Sequence, residues 1–193
     1  ILQIGLGAGS LARFIYRHLP NAQQVVIEQS SVVIAAARQA FNLPTESEQL
    51  RIVVADGAEW LMDSTETFDL ILVDGFDADG QAGGLESVRF YQDARQHLQN
   101  GGLFVCNLLS RSPNFLRTCL DLDAAFEGLT RLLPQTPGGN VIALGALSTT
   151  AMLDEASLRE RLRELQSRIN LDLESLMLRL TGQEDGLPFG LMR

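Results

Sequence analysis

The sequence predicts an α/β domain with a doubly wound, mostly parallel sheet, an antiparallel closing hairpin and C-terminal helices. Three observations predict it. Short apolar runs alternate with segments of helical apolar spacing, as in repeated strand-helix-strand units. A glycine-rich turn, Gly5-Leu6-Gly7-Ala8-Gly9, follows the first run directly. Acidic residues then stand at the ends of the next three runs, at Glu28, Asp56 and Asp74.

Each element has a local reason. Residues 1–6 form an apolar run, so a buried strand is expected there, and Leu11, Phe14, Ile15 and Leu19 follow at helical spacing until Pro20-Asn21 breaks the pattern. Residues 25–28 read as a second strand. Ser30 or Ser31 can cap a helix whose apolar face is Val33, Ala36, Ala37, Ala40 and Phe41. Residues 51–55 and 68–73 read as the third and fourth strands. The stretch 75–86, rich in Gly and Asp, has no apolar period and reads as a lid or binding loop. A helix near 88–98 leads through Asn100-Gly101-Gly102 into a fifth strand at 103–108. Ser112-Pro113 looks like a helix start, with Phe115, Cys119, Leu122 and Phe126 on one face. Residues 129–133 and 141–147 read as the closing hairpin. Beyond Asp154 the pattern is helical, with Leu158, Leu162, Leu165 and Ile169 on one helix and Leu173, Leu176, Met177 and Leu180 on another, ended by Gly182. The domain thus occupies residues 1–150, with 151–193 as its helical appendix.

Composition narrows the function. At 193 residues, 46% of them hydrophobic, the chain suits one domain with a sizeable core. No apolar run approaches the roughly 20 residues that cross a bilayer, so no membrane association and a cytoplasmic location are expected. Ile1 already lies inside a strand pattern, and native chain is expected upstream of it. The formal charge of −9 argues against nucleic acid and favours a cationic or neutral small substrate. All 15 basic side chains are arginines, which removes Schiff-base chemistry and the P-loop lysine. Cys106 and Cys119 read as reduced core residues without zinc-ligand spacing. His18 and His97 have no neighbouring motif and are given no role.

The chemistry sits at the strand ends. Glycines after the first strand let the backbone approach a ligand at a helix N-terminus, although the spacing G-x-G-x-G is not the dinucleotide fingerprint G-x-G-x-x-G. Glu28 follows about 20 residues later, where a carboxylate can accept the hydroxyls of a ribose. Asp56-Gly57 ends the third strand beside the same crevice and can accept from an exocyclic amine such as that of adenine, or simply form a turn. Together these residues describe an adenosine site without a phosphate clamp. Between Asp56 and Asp93 ten acids accompany one base, Arg89. Asp74, at the end of the fourth strand, can take a proton from an ammonium group, and Asp77 can hold the same amine or a second one. The run Asp74, Asp77, Asp79 lacks the EF-hand pattern, so no metal is expected.

At these residues the chain resembles the spermidine synthase, or aminopropyltransferase, family, which has the Rossmann-like fold of the S-adenosylmethionine-dependent methyltransferases. The resemblance covers most of residues 1–147. It rests on the glycine turn, Glu28, Asp56-Gly57, the D-x-x-D of Asp74 and Asp77, the loop, Phe90-Tyr91 and Asn100-Gly101-Gly102. It implies that Gly5, Gly7, Gly9, Glu28, Asp56 and Gly57 hold S-adenosylmethionine or its decarboxylated form. It further implies that Asp74 and Asp77 bind a polyamine-type amine with Tyr91 beside them, and that Asp74 helps deprotonate that amine. Three positions depart from the family pattern. Ala8 replaces an aspartate that contacts the cofactor's amine, the D-S-S-D-P run reads Asp74-Gly75-Phe76-Asp77-Ala78, and Asn107 stands where a glutamine often follows the fifth strand. The family's N-terminal β-domain lies upstream of the matched region.

Three readings stay open on the residues. The leading one is aminopropyl transfer to a small-molecule amine. The second is a small-molecule methyltransferase, which Ala8 favours because it removes a charge that would repel the carboxylate of intact S-adenosylmethionine. The third is a non-catalytic nucleoside-binding module of a longer protein. The leucine stripes beyond Asp154 belong to the core or to an interface, and a homodimer is compatible with them.

Overall fold

The computed structural model describes residues 1–76, 82–133, 138–148, 155–169 and 171–173. Its centre is a seven-stranded sheet in the order β3-β2-β1-β4-β5-β7-β6. The strands are β1 (Leu2–Ile4), β2 (Gln24–Glu28), β3 (Leu50–Val54), β4 (Phe68–Val73), β5 (Leu98–Leu109), β6 (Thr130–Leu132) and β7 (Asn140–Ala146). β1 to β5 pair in parallel, β7 runs antiparallel to β5, and β6 runs antiparallel to β7. The expected doubly wound sheet with its closing hairpin is therefore what the chain forms. Every residue of β1 and β2 is buried, as befits central parallel strands covered on both faces.

Six helices are described: α1 (Ser10–His18), α2 (Ser31–Ala40), α3 (Gly57–Asp63), α4 (Val88–Gln96), α5 (Phe115–Ala125) and α6 (Glu155–Ile169). On one face of the sheet, Ala12 of α1 and Ile34 and Ala37 of α2 pack with Leu6, Val26, Leu43 and Leu50. On the other, Leu61 of α3, Phe90, Tyr91 and Ala94 of α4 and Cys119, Leu122 and Ala125 of α5 enclose Leu2, Ile4, Ile71 and Phe104. Cys106 and Cys119 are free and buried, and burial pushes the Cys119 thiol up to about 11 and that of Cys106 higher still. Among the described residues no helix is long and apolar enough to cross a membrane.

Four details differ from the sequence expectation. Helix α3 was not expected, yet Asp56 caps it through Ala58 N–H (2.8 Å) and Glu59 N–H (3.0 Å). Its signal is the spacing Asp56-x-x-Glu59, an acidic form of the capping box. α5 begins at Phe115 rather than at Ser112-Pro113, because Ser112 closes a preceding turn by accepting from Asn114 N–H. β5 starts at Leu98: Leu98 faces Phe68 and Leu103 faces Leu70, so Asn100-Gly101-Gly102 is a bulge inside the strand, with Gly101 at φ +81°. The buried face of α2 is Ile34 and Ala37, while Ala36, Ala40 and Phe41 are exposed. The helix expected over 173–180 and its stop at Gly182 lie outside the described residues.

Candidate cofactor and amine site

The sheet order reverses between β1 and β4, so the crevice beyond their carboxyl ends is the topological switch point where such folds bind ligands. The two chain exits touch there. Asp74 N–H donates to Ile4 O (2.9 Å), and a Cβ on Gly5 would lie 2.2 Å from Asp74 O. Gly5 has φ +91°, so glycine is required by conformation and by contact. Gly7 differs. It also has positive φ, +52°, but nothing lies within 4 Å of where its Cβ would be. Gly7 and Ala8 are exposed at the rim, an open cradle where backbone can meet a ligand. Gly9 caps α1 at φ +73°, against Leu43. The first turn of α1 carries no acidic side chain and no side-chain cap.

Glu28 ends β2 and is 9% exposed. Its Oε2 accepts from Leu6 N–H (3.0 Å) in the glycine turn, and its Oε1 accepts from Ser30 N–H (2.9 Å). These bonds fix the carboxylate's orientation and leave one acceptor direction on each oxygen, which is what two ribose hydroxyls require. Asp56 is exposed. Its Oδ1 is committed to capping α3, and Oδ2 accepts no hydrogen bond among the described residues. Gly57 is buried against Ile4, whose Cγ2 would be 2.3 Å from a Cβ, so packing explains this glycine.

On the amine side, Asp74 is exposed and follows β4 directly. Its Oδ1 accepts from Asn107 Nδ2 (2.8 Å) on β5. Asn107 was noted in the sequence only as a departure from the family pattern; its partner is 33 positions away, and nothing local signals the pairing. Asp77 and Asp79 lie outside the described residues, so their expected role is not addressed by geometry. Beyond them, the 3₁₀ turn Gly83–Glu86 brings the chain back to the crevice. Leu85 presses its methyl groups toward Gly57 and Gly75: a Cβ on Gly75 would lie 2.6 Å from Leu85 Cδ1. Glu86 is held by Thr118 Oγ1 (3.5 Å), and burial raises its pKa while that hydroxyl partly opposes the rise.

Tyr91 is placed differently from the expectation of an amine contact. It is 1% exposed, packed with Phe90 and edge-on to Phe104 at 5.9 Å. Its hydroxyl is buried without a partner among the described residues, and burial holds its pKa far above the usual phenol value. In this conformation Tyr91 is a core residue behind the crevice wall. The structure thus brings Gly5, Gly7, Glu28 and Asp74 to one crevice, adds Asn107, sets Asp56 and Gly57 at its α3 edge, and withdraws Tyr91. Among the described residues no cluster of metal-ligating side chains is present.

The fold and the position of this crevice define a Rossmann-like domain of the methyltransferase type. Solved structures agree at the level of fold. A spermidine synthase in complex with the transition state analogue AdoDATO matches with a TM-score of 0.76 at 23% identity, over 92% of this chain and 64% of that one. Human methyltransferase-like protein 13 in complex with SAH matches with a TM-score of 0.75 at 21% identity, over 88% and 81%.

Sequence comparison is more specific. Residues 1–118 match the spermine/spermidine synthase domain, and the chain belongs to that family. The polyamine aminopropyltransferase of Neisseria meningitidis serogroup B is 35% identical over 193 residues, covering 99% of this chain and 73% of the relative. That of Chromobacterium violaceum is 38% identical over 183 residues, covering 93% and 69%.

Proposed function

We propose that this domain transfers an aminopropyl group from decarboxylated S-adenosylmethionine to a polyamine-type amine in the crevice between β1 and β4. The observation that carries the reading is the juxtaposition of Gly5 and Asp74, which puts the cofactor turn and an oriented carboxylate at one switch point. The relatives named polyamine aminopropyltransferase support the same reaction.

The residues present fit such a cofactor. Gly7 leaves an open cradle, Glu28 offers two oriented acceptors to a ribose, and Asp56 Oδ2 is available to an exocyclic amine. When bound, the cofactor supplies an electrophilic carbon on a sulfonium, and the amine nitrogen forms its N–C bond as the C–S bond breaks and methylthioadenosine leaves. Asp74 attracts the cationic amine and accepts the proton that its nitrogen must lose. Asn107 holds Asp74 toward the crevice, and Asp77 is assigned to the same amine or to a second one. Positioning two reactants in a site shielded from water supplies most of the rate in such a step.

A second reading has one observation in its favour. Ala8 is exposed at the rim and the first turn of α1 carries no acid, which suits the carboxylate of intact S-adenosylmethionine and hence methyl transfer. Parallel calorimetric titrations with S-adenosylmethionine, decarboxylated S-adenosylmethionine and methylthioadenosine separate the two. Preference for the decarboxylated form, with an aminopropylated amine detected by mass spectrometry, supports the proposal. Preference for the intact form moves it to methyl transfer, and binding of none removes both.

A further inference from the structure

We infer that Gln3 and Gln24 form a buried amide relay that positions the cofactor site through a single peptide group; the inference rests on the reading of Glu28 as a ribose acceptor. Both glutamines are 2% exposed. They lie on neighbouring central strands, Gln3 opposite Val26 and Gln24 opposite Leu50, on the face covered by α1 and α2. Leu6, Val26, Ile34 and Leu50 make that face apolar, and two desolvated amides are a poor choice there for packing alone.

Their hydrogen bonds run in one direction. Gln24 Nε2 donates to Gln3 Oε1 (2.8 Å), and Gln3 Nε2 donates to Gly5 O (2.7 Å). Gly5 O belongs to the same peptide group as Leu6 N–H, and Leu6 N–H donates to Glu28 Oε2 (3.0 Å). One peptide plane in the glycine turn is therefore gripped at its carbonyl by Gln3 and at its N–H by the carboxylate that ends β2. Gly5, at φ +91°, lacks the side chain that would confine this plane, so its orientation depends on these partners. Gln24 Oε1 is buried without a partner among the described residues, so the relay persists although one acceptor goes unused. Removing Gln3 frees the peptide to rotate and deprives Glu28 of its fixed donor, without touching the ligand. Gln3 is thus a positioning residue that acts through Glu28.

The test measures methylthioadenosine affinity by calorimetry, well below the melting midpoint of every variant. The proteins are wild type, Gln3→Met, Gln3→Met/Gln24→Met, Glu28→Ala and Gln3→Met/Glu28→Ala. The double methionine variant leaves neither amide stranded and carries the comparison if Gln3→Met does not fold. Gln3→Met is expected to weaken binding about tenfold, and to add less than about twofold once Glu28 is alanine, because both act through one carboxylate. Wild-type affinity in both methionine variants, with loss in Glu28→Ala, overturns the relay and leaves the cofactor site standing. An undiminished further loss in the Glu28→Ala background also overturns it, since Gln3 would then act independently. If wild type itself binds no methylthioadenosine, the functional reading fails and the relay falls with it.

Discussion

Asn107 Nδ2 donates to Asp74 Oδ1 at 2.8 Å, joining the ends of β4 and β5 at the mouth of the crevice. A carboxylate only accepts, so the amide must present its nitrogen to Asp74, which leaves Asn107 Oδ1 buried and without a partner among the described residues. Among the described residues the bond to Asp74 is therefore the interaction that explains an amide here.

The first prediction concerns this pair. Hydrogen bonds to charged groups contribute about 1.5–3 kcal/mol, so Asn107→Leu should lower kcat by about tenfold or more as Asp74 loses its orientation. Asp74→Asn should lower it further, since the proton acceptor itself is gone. Steady-state rates with saturating amine decide the matter, and equal activity in all three proteins would remove Asp74 from the chemistry.

Glu28→Ala should weaken methylthioadenosine binding by more than about 1.4 kcal/mol, or tenfold. The side chain is buried and oriented by two backbone donors, so its loss also strands Leu6 N–H and Ser30 N–H. Calorimetric binding within about twofold of wild type would refute the ribose assignment.

Two glycines of one turn should respond differently to alanine. At Gly5 the new methyl meets Asp74 O and the backbone sits at φ +91°, so Gly5→Ala combines a left-handed cost of about 1–2 kcal/mol with a collision. A melting midpoint lowered by more than about 4 °C is expected. Gly7→Ala meets no atom and bears only the left-handed cost, so it should melt closer to wild type while weakening nucleoside binding at the open rim. Thermal melts and calorimetry on both variants check this contrast.

These contrasts show where the sequence was informative. The succession of strands and helices and the crevice were legible because apolar runs, the glycine turn and terminal acids report on strand ends directly, which also placed Glu28 and Asp74 at strand ends. The capping role of Asp56 was legible in Asp56-x-x-Glu59 but was masked by the turn reading of Asp-Gly. Asn107 was beyond local pattern, since its partner arrives through a parallel crossover. Gln3 was hidden because one polar residue in an apolar run carries no sign of whether it is buried and bonded. Tyr91 was assigned to the amine from the resemblance alone, because apolar spacing does not separate a helix face that meets the core from one that lines a pocket.

Glu86 supplies a pH test with a definite sign. Burial raises its pKa in the folded protein, so the folded state holds the proton more tightly than the unfolded chain does. The stability from this group is fully present below the unfolded carboxylate value and is lost as pH rises through the folded one. At neutral pH the charged, half-buried side chain is therefore a liability. Glu86→Gln should melt slightly above wild type at pH 7, and the gap should close as pH falls to about 4. A gap that widens toward acid would show that the bond to Thr118, rather than burial, governs this group.

Tyr91→Phe decides between two roles for the same side chain. The hydroxyl is buried and has no partner among the described residues, so removing it deletes a desolvated polar group and leaves the ring contacts with Phe90 and Phe104 intact. A core role predicts a melting midpoint equal to wild type or higher, by up to about 1 kcal/mol of stability, and unchanged kcat and KM for the amine. A direct contact with the amine in a closed state predicts the opposite pattern: unaltered melting with a raised KM. Because the two readouts move separately, one variant assayed by thermal melting and by amine kinetics tells whether Tyr91 supports the crevice wall or reaches through it.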